Sequence, residues 1–157
     1  VSKKKKQSER YKEIRNSKVF HDYFVEDKIE AGIVLTGTEV KSIRESGAQI
    51  TDSFVRFRNG RPIMYNAHIA EYKFGNFANH DPHRPRNLLL HKKEIIKLEH
   101  EIQSKGLTLI PLRMYFEKAL VKVELGLCRG KKLYDKRETL KRKEHMRETQ
   151  RAIRHSY

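Results

Sequence analysis

The residue types with chemical potential in this 157-residue chain are eight histidines, one cysteine and a large excess of basic groups. The tightest histidine spacing is His80-Asp81-Pro82-His83, which could begin a metal site. It is followed at once by Arg84 and Arg86, whose charges would repel a cation, and no cysteine or second histidine pair at helical spacing joins it. Cys128 stands alone, so neither an internal disulfide nor a thiolate cluster can form, which fits a reducing cytoplasmic home. Paired carboxylates, a nucleophile elbow and a phosphate-binding glycine loop do not appear. The sequence therefore predicts no catalytic residues, no metal and no cofactor, and the chain is not expected to be an enzyme.

The basic groups carry a clearer signal. Thirty-five Lys and Arg stand against 20 Asp and Glu, giving a net charge of +15. Such a balance calls for a polyanionic partner, most often nucleic acid and less often a membrane surface. The apolar content of 37% includes no run approaching the length of a membrane span, and no apolar segment follows Lys3 to Lys6 to make a secretory signal. Basic residues recur in a terminal arm, at Lys41 and Arg44, at Arg84 and Arg86, at Lys92 and Lys93, and in the last stretch of the chain. His21, Tyr23, Phe74, Phe77 and Tyr134 are interleaved with them. Rings that can stack on unpaired bases, set among cations that meet phosphates, suit the recognition of structured or single-stranded RNA.

Strands must position most of these groups. Residues 1–17 are lysine-rich without apolar periodicity and read as a mobile basic arm. From about Val19 to Leu35 the apolar residues share one parity, which predicts a long strand with a bulge, Gly32 being the candidate position. In that phasing Glu30 lies on the wet face. Thr36-Gly37-Thr38-Glu39 is a capping box, and a short helix should follow through Glu45, with Gly47 as its left-handed stop. Phe54 to Arg58, the Asn59-Gly60 turn and Pro62 to Ala70 form a hairpin in which Ile63, Tyr65, Ala67 and Ile69 share one face. Glu71 to Asn87 reads as a long loop, and about His91 to Ser104 as a helix ended by Gly106. Leu107 to Glu117 and Ala119 to Cys128 are the closing strands, with an edge or bulge at Pro111 and with Lys122 on the wet face. The fold class that results is mainly β with flanking helices, an antiparallel OB-like barrel of about five or six strands with a helix between the third and fourth. Residues 18–129 would be this barrel.

Gly130 to Tyr157 is different. It holds ten Lys and Arg against four acids, no proline and one glycine. Its apolar residues make no stripe wide enough to seal onto a core. Glu138 with Arg142, Glu144 with Arg147 and Glu148 with Arg151 are favourable helical pairs. Lys136, Lys143, Arg147, Arg151 and Arg154 would share one face. The pattern predicts a conditional helix that forms when a polyanion neutralises it.

Several stretches, in collinear order from about residue 16 to the end, resemble the SmpB family, the bacterial tmRNA-binding proteins of ribosome rescue. They are Asn16 with His21-Asp22-Tyr23-Phe24, EAGIVLTGTEVKSIR (Glu30 to Arg44), Asp52-Ser53, and Asn79-His80-Asp81-Pro82 with Arg84 and Arg86. RNLLLHKKEI (Arg86 to Ile95), Lys122-Val123 and GKKLYDKR (Gly130 to Arg137) complete the set. The resemblance implies a non-enzymatic monomer with an OB-like barrel that binds the tRNA-like domain of tmRNA. It implies delivery to stalled ribosomes with elongation factor Tu and GTP, after charging by alanyl-tRNA synthetase. The tail would become helical in the empty mRNA channel, on small-subunit rRNA beside the decoding centre.

Carried over residue by residue, the resemblance implies tmRNA contacts at Glu30, Leu89 and Lys122. It places the tail motif on Gly130, Lys131, Lys132, Asp135, Lys136 and Arg137, with Tyr134 placed to stack near the decoding bases. Taken with the basic and aromatic pattern, the expected RNA-binding set is His21, Tyr23, Glu30, Lys41, Arg44, Arg84, Arg86, Leu89 and Lys122. The expected ribosome-contacting set adds Lys143, Arg147 and Arg151. Glu30 would accept hydrogen bonds from a base edge or orient a neighbour such as His21. Without the resemblance, the next reading is a ribosomal or other OB-fold RNA-binding protein bound to one rRNA site, and a third is a basic adaptor whose tail binds an acidic protein or membrane surface.

Overall fold

The computed structural model describes residues 11–155, with the backbone alone at positions 133 and 134. In chain order the elements are β1 (Ile14–Arg15), α1 (Val19–Asp22), β2 (Tyr23–Ile33), α2 (Gly37–Arg44), β3 (Ala48–Gln49), β4 (Phe54–Arg58) and β5 (Arg61–Tyr65). There follow β6 (His68–Ile69), β7 (Arg86–Leu89), α3 (Lys92–Lys105), β8 (Thr108–Glu117), β9 (Leu120–Gly130) and α4 (Leu133–His155).

Six strands close an antiparallel barrel in the order β8-β4-β5-β7-β2-β9, with β9 returning to β8. Closure leaves little free sheet edge for another chain to pair with. β4 meets β8 at Val55 and Leu109, and β1 takes the other half of that edge at Ile14 and Met114. Ala31, Met64, Met114, Val123 and Leu125, each essentially without solvent exposure, fill the interior. α3 lays Leu98 and Ile102 on this core, starts with the His91 amide donating to Glu94 Oε1 at 3.0 Å, and ends at left-handed Gly106. The Asn59-Gly60 turn has positive φ at both residues, 52° and 72°, which matches the twist of the two strands it joins.

Six details differ from the expectations. The first four residues of the predicted first strand form α1, and the β2 bulge lies between Val25 and Asp27, not at Gly32. α1 is held because Val19 buries against Ile110, Leu112 and Cys128, a small apolar cluster on the outside of the barrel. The β8 bulge at Pro111 and Arg113 makes this cluster, since it turns Ile110 and Leu112 outward while Leu109, Met114 and Phe116 stay in the main core.

The strand predicted from Pro62 to Ala70 breaks at Asn66, whose φ is 59°. The break shifts the parity, so Pro62 and Met64 point inward before it and Ala67 and Ile69 after it. The predicted loop to Asn87 conceals the start of β7, so α3 follows the fourth barrel strand and not the third. The left-handed stop of α2 is Ser46, with φ 60°, and Gly47 instead gives the room that brings its amide to Ser42 O at 2.9 Å.

Of the expected arm, residues 1–10 lie outside the described residues, but residues 11–17 belong to the body. Tyr11 packs on Phe116 with ring centroids 4.8 Å apart. Asn16 is buried, its Nδ2 donating to Ile50 O and Pro111 O at 3.1 and 3.0 Å. Among the described residues no helix is long and apolar enough to cross a membrane.

Candidate nucleic-acid interface

The outer surface of β7, β2, β9 and β8 divides into two halves. Near Gly130 it is covered by α1 and the outer apolar cluster. Near the other end of β9, no helix among the described residues covers it. There the strand register sets one row of residues side by side: Leu89 on β7 opposite Gly32 on β2, Gly32 opposite Lys122 on β9, and Lys122 opposite Tyr115 on β8. Inward residues flank each of these positions, at Leu88, Ala31, Val121, Val123, Met114 and Phe116, so the row faces out.

The next row holds Glu30 opposite Glu124, and Glu124 opposite Arg113. Tyr115 crosses between the rows and its hydroxyl donates to Glu30 Oε2. The three residues expected to touch tmRNA, Glu30, Leu89 and Lys122, thus meet in one patch although they come from three strands.

Charge and exposure distinguish members of this patch. Leu89 is 60% exposed, while its neighbour Leu88 is buried. Alternation along β7 resolves the Leu88-Leu89-Leu90 run and presents the middle residue outward. Arg113 is held by Glu124 at 3.1 Å and Glu13 at 3.0 Å, and its guanidinium lies 4.3 Å from the Tyr115 ring centre. Lys122 has no ion-pair partner among the described residues, so its charge is available to a ligand. Burial, then the hydrogen bond to Glu30 and that carboxylate's charge, push the Tyr115 hydroxyl far above its ordinary value. It therefore remains a donor across the neutral range and fixes the Glu30 carboxylate. The meeting of Arg113 and Tyr115 with Glu30 depends on strand register, which the sequence does not display. Glu30 is bonded to Tyr115 and does not orient His21, which lies at the other end of β2.

Two expected RNA contacts have other duties. Arg86 has no solvent exposure: Nε donates to Glu39 Oε2 at 2.5 Å, and its terminal nitrogens donate to Ala67 O at 2.7 Å and Pro82 O at 3.0 Å. It ties α2, the residue before β6 and the long loop together and cannot reach RNA. Arg84 is partly exposed but donates to Glu39 Oε1, and more weakly to Val34 O at 3.4 Å. Glu39 also completes the capping box, accepting from the Thr36 amide at 2.9 Å. Burial alone would raise its carboxyl; the Thr36 amide, both arginines and the Arg86 charge overcome this and hold it below the usual range. His80 is likewise internal, bonded to Thr38 Oγ1 at 2.9 Å and Ile69 O at 2.8 Å. Among the described residues no group of three or more His, Cys, Asp or Glu could hold a metal ion.

The remaining expected residues lie elsewhere. Lys41 and Arg44 are exposed on α2, over the rings of Tyr72 and Tyr11 at 5.4 and 5.8 Å. His21 and Tyr23 sit at the far end of β2 from Gly32, half-buried, with Tyr23 opposite Gly130 and packed on the outer cluster. They neighbour the root of the tail and not the Lys122 patch.

At that root the Lys131 amide donates to Asp22 O at 2.9 Å, and its ammonium to Phe20 O at 3.0 Å and Thr139 Oγ1 at 2.8 Å. Lys136 pairs with Asp22 at 3.3 Å, and Asp135 accepts from the Lys132 amide at 3.3 Å. Beyond these, residues 140–155 of α4 are all exposed, Lys143, Arg147 and Arg151 among them, although Lys143 still lines a pocket with Lys28, Arg113 and Glu124. Leu140, Met146 and Ile153 are also exposed, so no apolar face seals the helix onto the barrel. The tail root and Lys122 lie at opposite ends of β9, roughly 26 Å apart along an extended strand.

Among the described residues, a closed barrel with an uncovered outer patch that carries an unpaired lysine, and a long cationic helix rooted at its other end, make up the architecture of a nucleic-acid-binding protein. Residues 13–155 match the family described as SmpB protein, and the chain belongs to that family. The "SsrA-binding protein" of Geobacter sulfurreducens is 56% identical over 139 residues, covering 88% of this chain and 91% of the relative. That of Shouchella clausii is 55% identical over 139 residues, covering 88% and 89%. A chain in a solved structure described as "tmRNA-SmpB: a journey to the center of the bacterial ribosome" superposes with a TM-score of 0.64. It is 48% identical and the match covers 77% of this chain and 85% of that one.

Proposed function

We infer that this chain is a tmRNA-binding protein of trans-translation, acting in the cytoplasm by binding and not by catalysis. Its barrel holds the tRNA-like domain of tmRNA and delivers it to a stalled ribosome, where the basic tail enters the empty mRNA channel and contacts small-subunit rRNA. Elongation factor Tu with GTP and alanyl-tRNA synthetase are its indirect partners, and it works as a monomer. The observation that carries this reading is the convergence of Glu30, Leu89 and Lys122 on the bare patch, in a chain whose relatives are named for binding SsrA.

The separation of patch and tail root along β9 supports a division of labour. α4 has little packing beyond its first turns, so its helicity depends on its own ion pairs and on an external polyanion. The test is Arg147→Pro, which costs about 3 kcal/mol or more in a helix interior and almost nothing in an extended chain. The variant should keep tmRNA affinity and lose peptide tagging on ribosomes stalled without downstream mRNA. Normal tagging would show that the tail does not act as a helix, and lost tmRNA binding would show that patch and tail are not separate.

A further inference from the structure

The exposed aromatic residues of the long loop have no role in the site described so far. Phe77 is fully exposed and Phe74 is 75% exposed. Two such rings in one loop leave much apolar surface in water. The loop that carries them is fastened in place. Asn79 Oδ1 accepts from the Tyr72 amide at 3.0 Å and its Nδ2 donates to Tyr72 O at 2.7 Å, closing the segment at its base. The Gly75 amide also reaches Tyr72 O at 3.0 Å, and Asn76–Ala78 makes a turn of 3₁₀-helix. A side chain on Gly75 would meet Asn79 Nδ2 at 2.7 Å, so only glycine permits this closure. Tyr72 stands edge-on to Phe74 with centroids 5.6 Å apart, and Lys41 lies 5.4 Å above the Tyr72 ring.

The loop sits at the same end of the barrel as the Lys122 patch. From Gly32 the contacts run through Val34, whose amide donates to Asn87 O at 2.9 Å, and Thr38, bonded to His80 at 2.9 Å. They end at Lys41 over Tyr72, which carries the loop. We propose that Phe74 and Phe77 form a second RNA contact, stacking on unpaired bases of the RNA whose backbone is met by Lys122 and the α2 cations Lys41 and Arg44. This rests on the function proposed above and extends it to the loop. RNA is favoured over an apolar protein groove because Lys73 adjoins Phe74 in the chain, because Lys41 lies over the neighbouring Tyr72 ring, and because each ring offers a flat face for stacking. Continuity with the patch assigns the contact to the tRNA-like domain and not to rRNA.

The chain contains no tryptophan, so Phe77→Trp introduces a single reporter at the loop. Titration with the isolated tRNA-like domain should quench and shift its emission. Phe74→Ala and Phe77→Ala should each lower affinity for that RNA roughly tenfold, without changing the salt slope, because a stack releases no counterions. Melting should be unchanged, since both rings are outside the core. Unchanged affinity, or tryptophan emission that does not respond, overturns the proposal. So does normal tmRNA binding with weakened binding to the stalled ribosome, which would place the rings on rRNA or a ribosomal protein. Lys122→Ala run in parallel separates the two readings. If it weakens binding and the loop variants do not, only the loop proposal falls; if the wild-type chain does not bind the RNA, both fall.

Discussion

Leu89 and Gly32 face each other across β7 and β2, and a side chain begun on Gly32 would lie 3.2 Å from the Leu89 Cβ. The bare glycine is the floor over which Leu89 leans toward Lys122. Gly32 has an ordinary strand conformation, so alanine is allowed there, and Leu89 is exposed enough to give way.

Gly32→Ala should therefore separate stability from binding. Replacing glycine in a strand reduces the freedom of the unfolded chain by an amount worth about 0.5–1 kcal/mol, which the crowding partly offsets. Denaturant unfolding should stay within about 0.5 kcal/mol of wild type, while affinity for the tRNA-like domain falls several-fold as Leu89 is displaced. A variant that binds normally would show that the position of Leu89 is not read by the RNA.

Tyr115 and Glu30 should behave as one unit in binding. Tyr115→Phe removes only the donor that orients the carboxylate. It should weaken tmRNA binding in the wild-type background and add nothing to Glu30→Ala, a coupling of about 0.5–1 kcal/mol in a double-mutant cycle. Glu30→Gln keeps shape and acceptor capacity and should be milder than Glu30→Ala. Additive losses would mean that Tyr115 contacts the ligand independently.

Glu39 should set part of the acid stability. Its folded-state carboxyl is held below the ordinary value, so the unfolded chain binds the proton more readily. The stabilisation is present above the ordinary carboxylate value and is lost as pH falls through the lower folded value. Glu39→Gln removes the charge that Arg86 is buried against and should cost about 3–5 kcal/mol at neutral pH. Its stability should then fall less steeply than wild type between about pH 5 and 3, with Glu13, also held low beside Arg15 and Arg113, supplying the remaining slope. Parallel acid limbs in the two proteins would contradict this role.

The periodic parts of the fold were legible because alternation and turn chemistry are local. The Asn59-Gly60 hairpin, the Thr36 to Glu39 capping box, the Pro111 bulge and the apolar face of β9 all follow from residues within a few positions of one another. What was not legible depends on distant partners. Arg86 reads as a loop cation until Glu39, 47 residues earlier in the chain, is seen to hold it in the interior. Its signal was present, since Arg86, Leu88 and Leu90 share strand parity, but a charged residue argued against a buried strand. Asn66 divides a smooth alternation by a backbone angle that Asn tolerates and does not require. In the site, the exposures of Glu30 and Lys122 were readable from parity, whereas the row from Leu89 to Tyr115 exists only in the register of four strands.

The most direct measurement of the central claim is the affinity for the tRNA-like domain of tmRNA as a function of salt, for the wild-type chain and Lys122→Ala. Log affinity should fall linearly with log salt, by roughly 0.7–0.9 per neutralised phosphate. Lys122→Ala should bind more weakly with a slope smaller by about one, because its ammonium has no ion pair within the described fold and is left to meet phosphate. A variant with wild-type affinity and wild-type slope would remove Lys122 from the interface and contradict the assignment of the bare patch as the RNA-binding face.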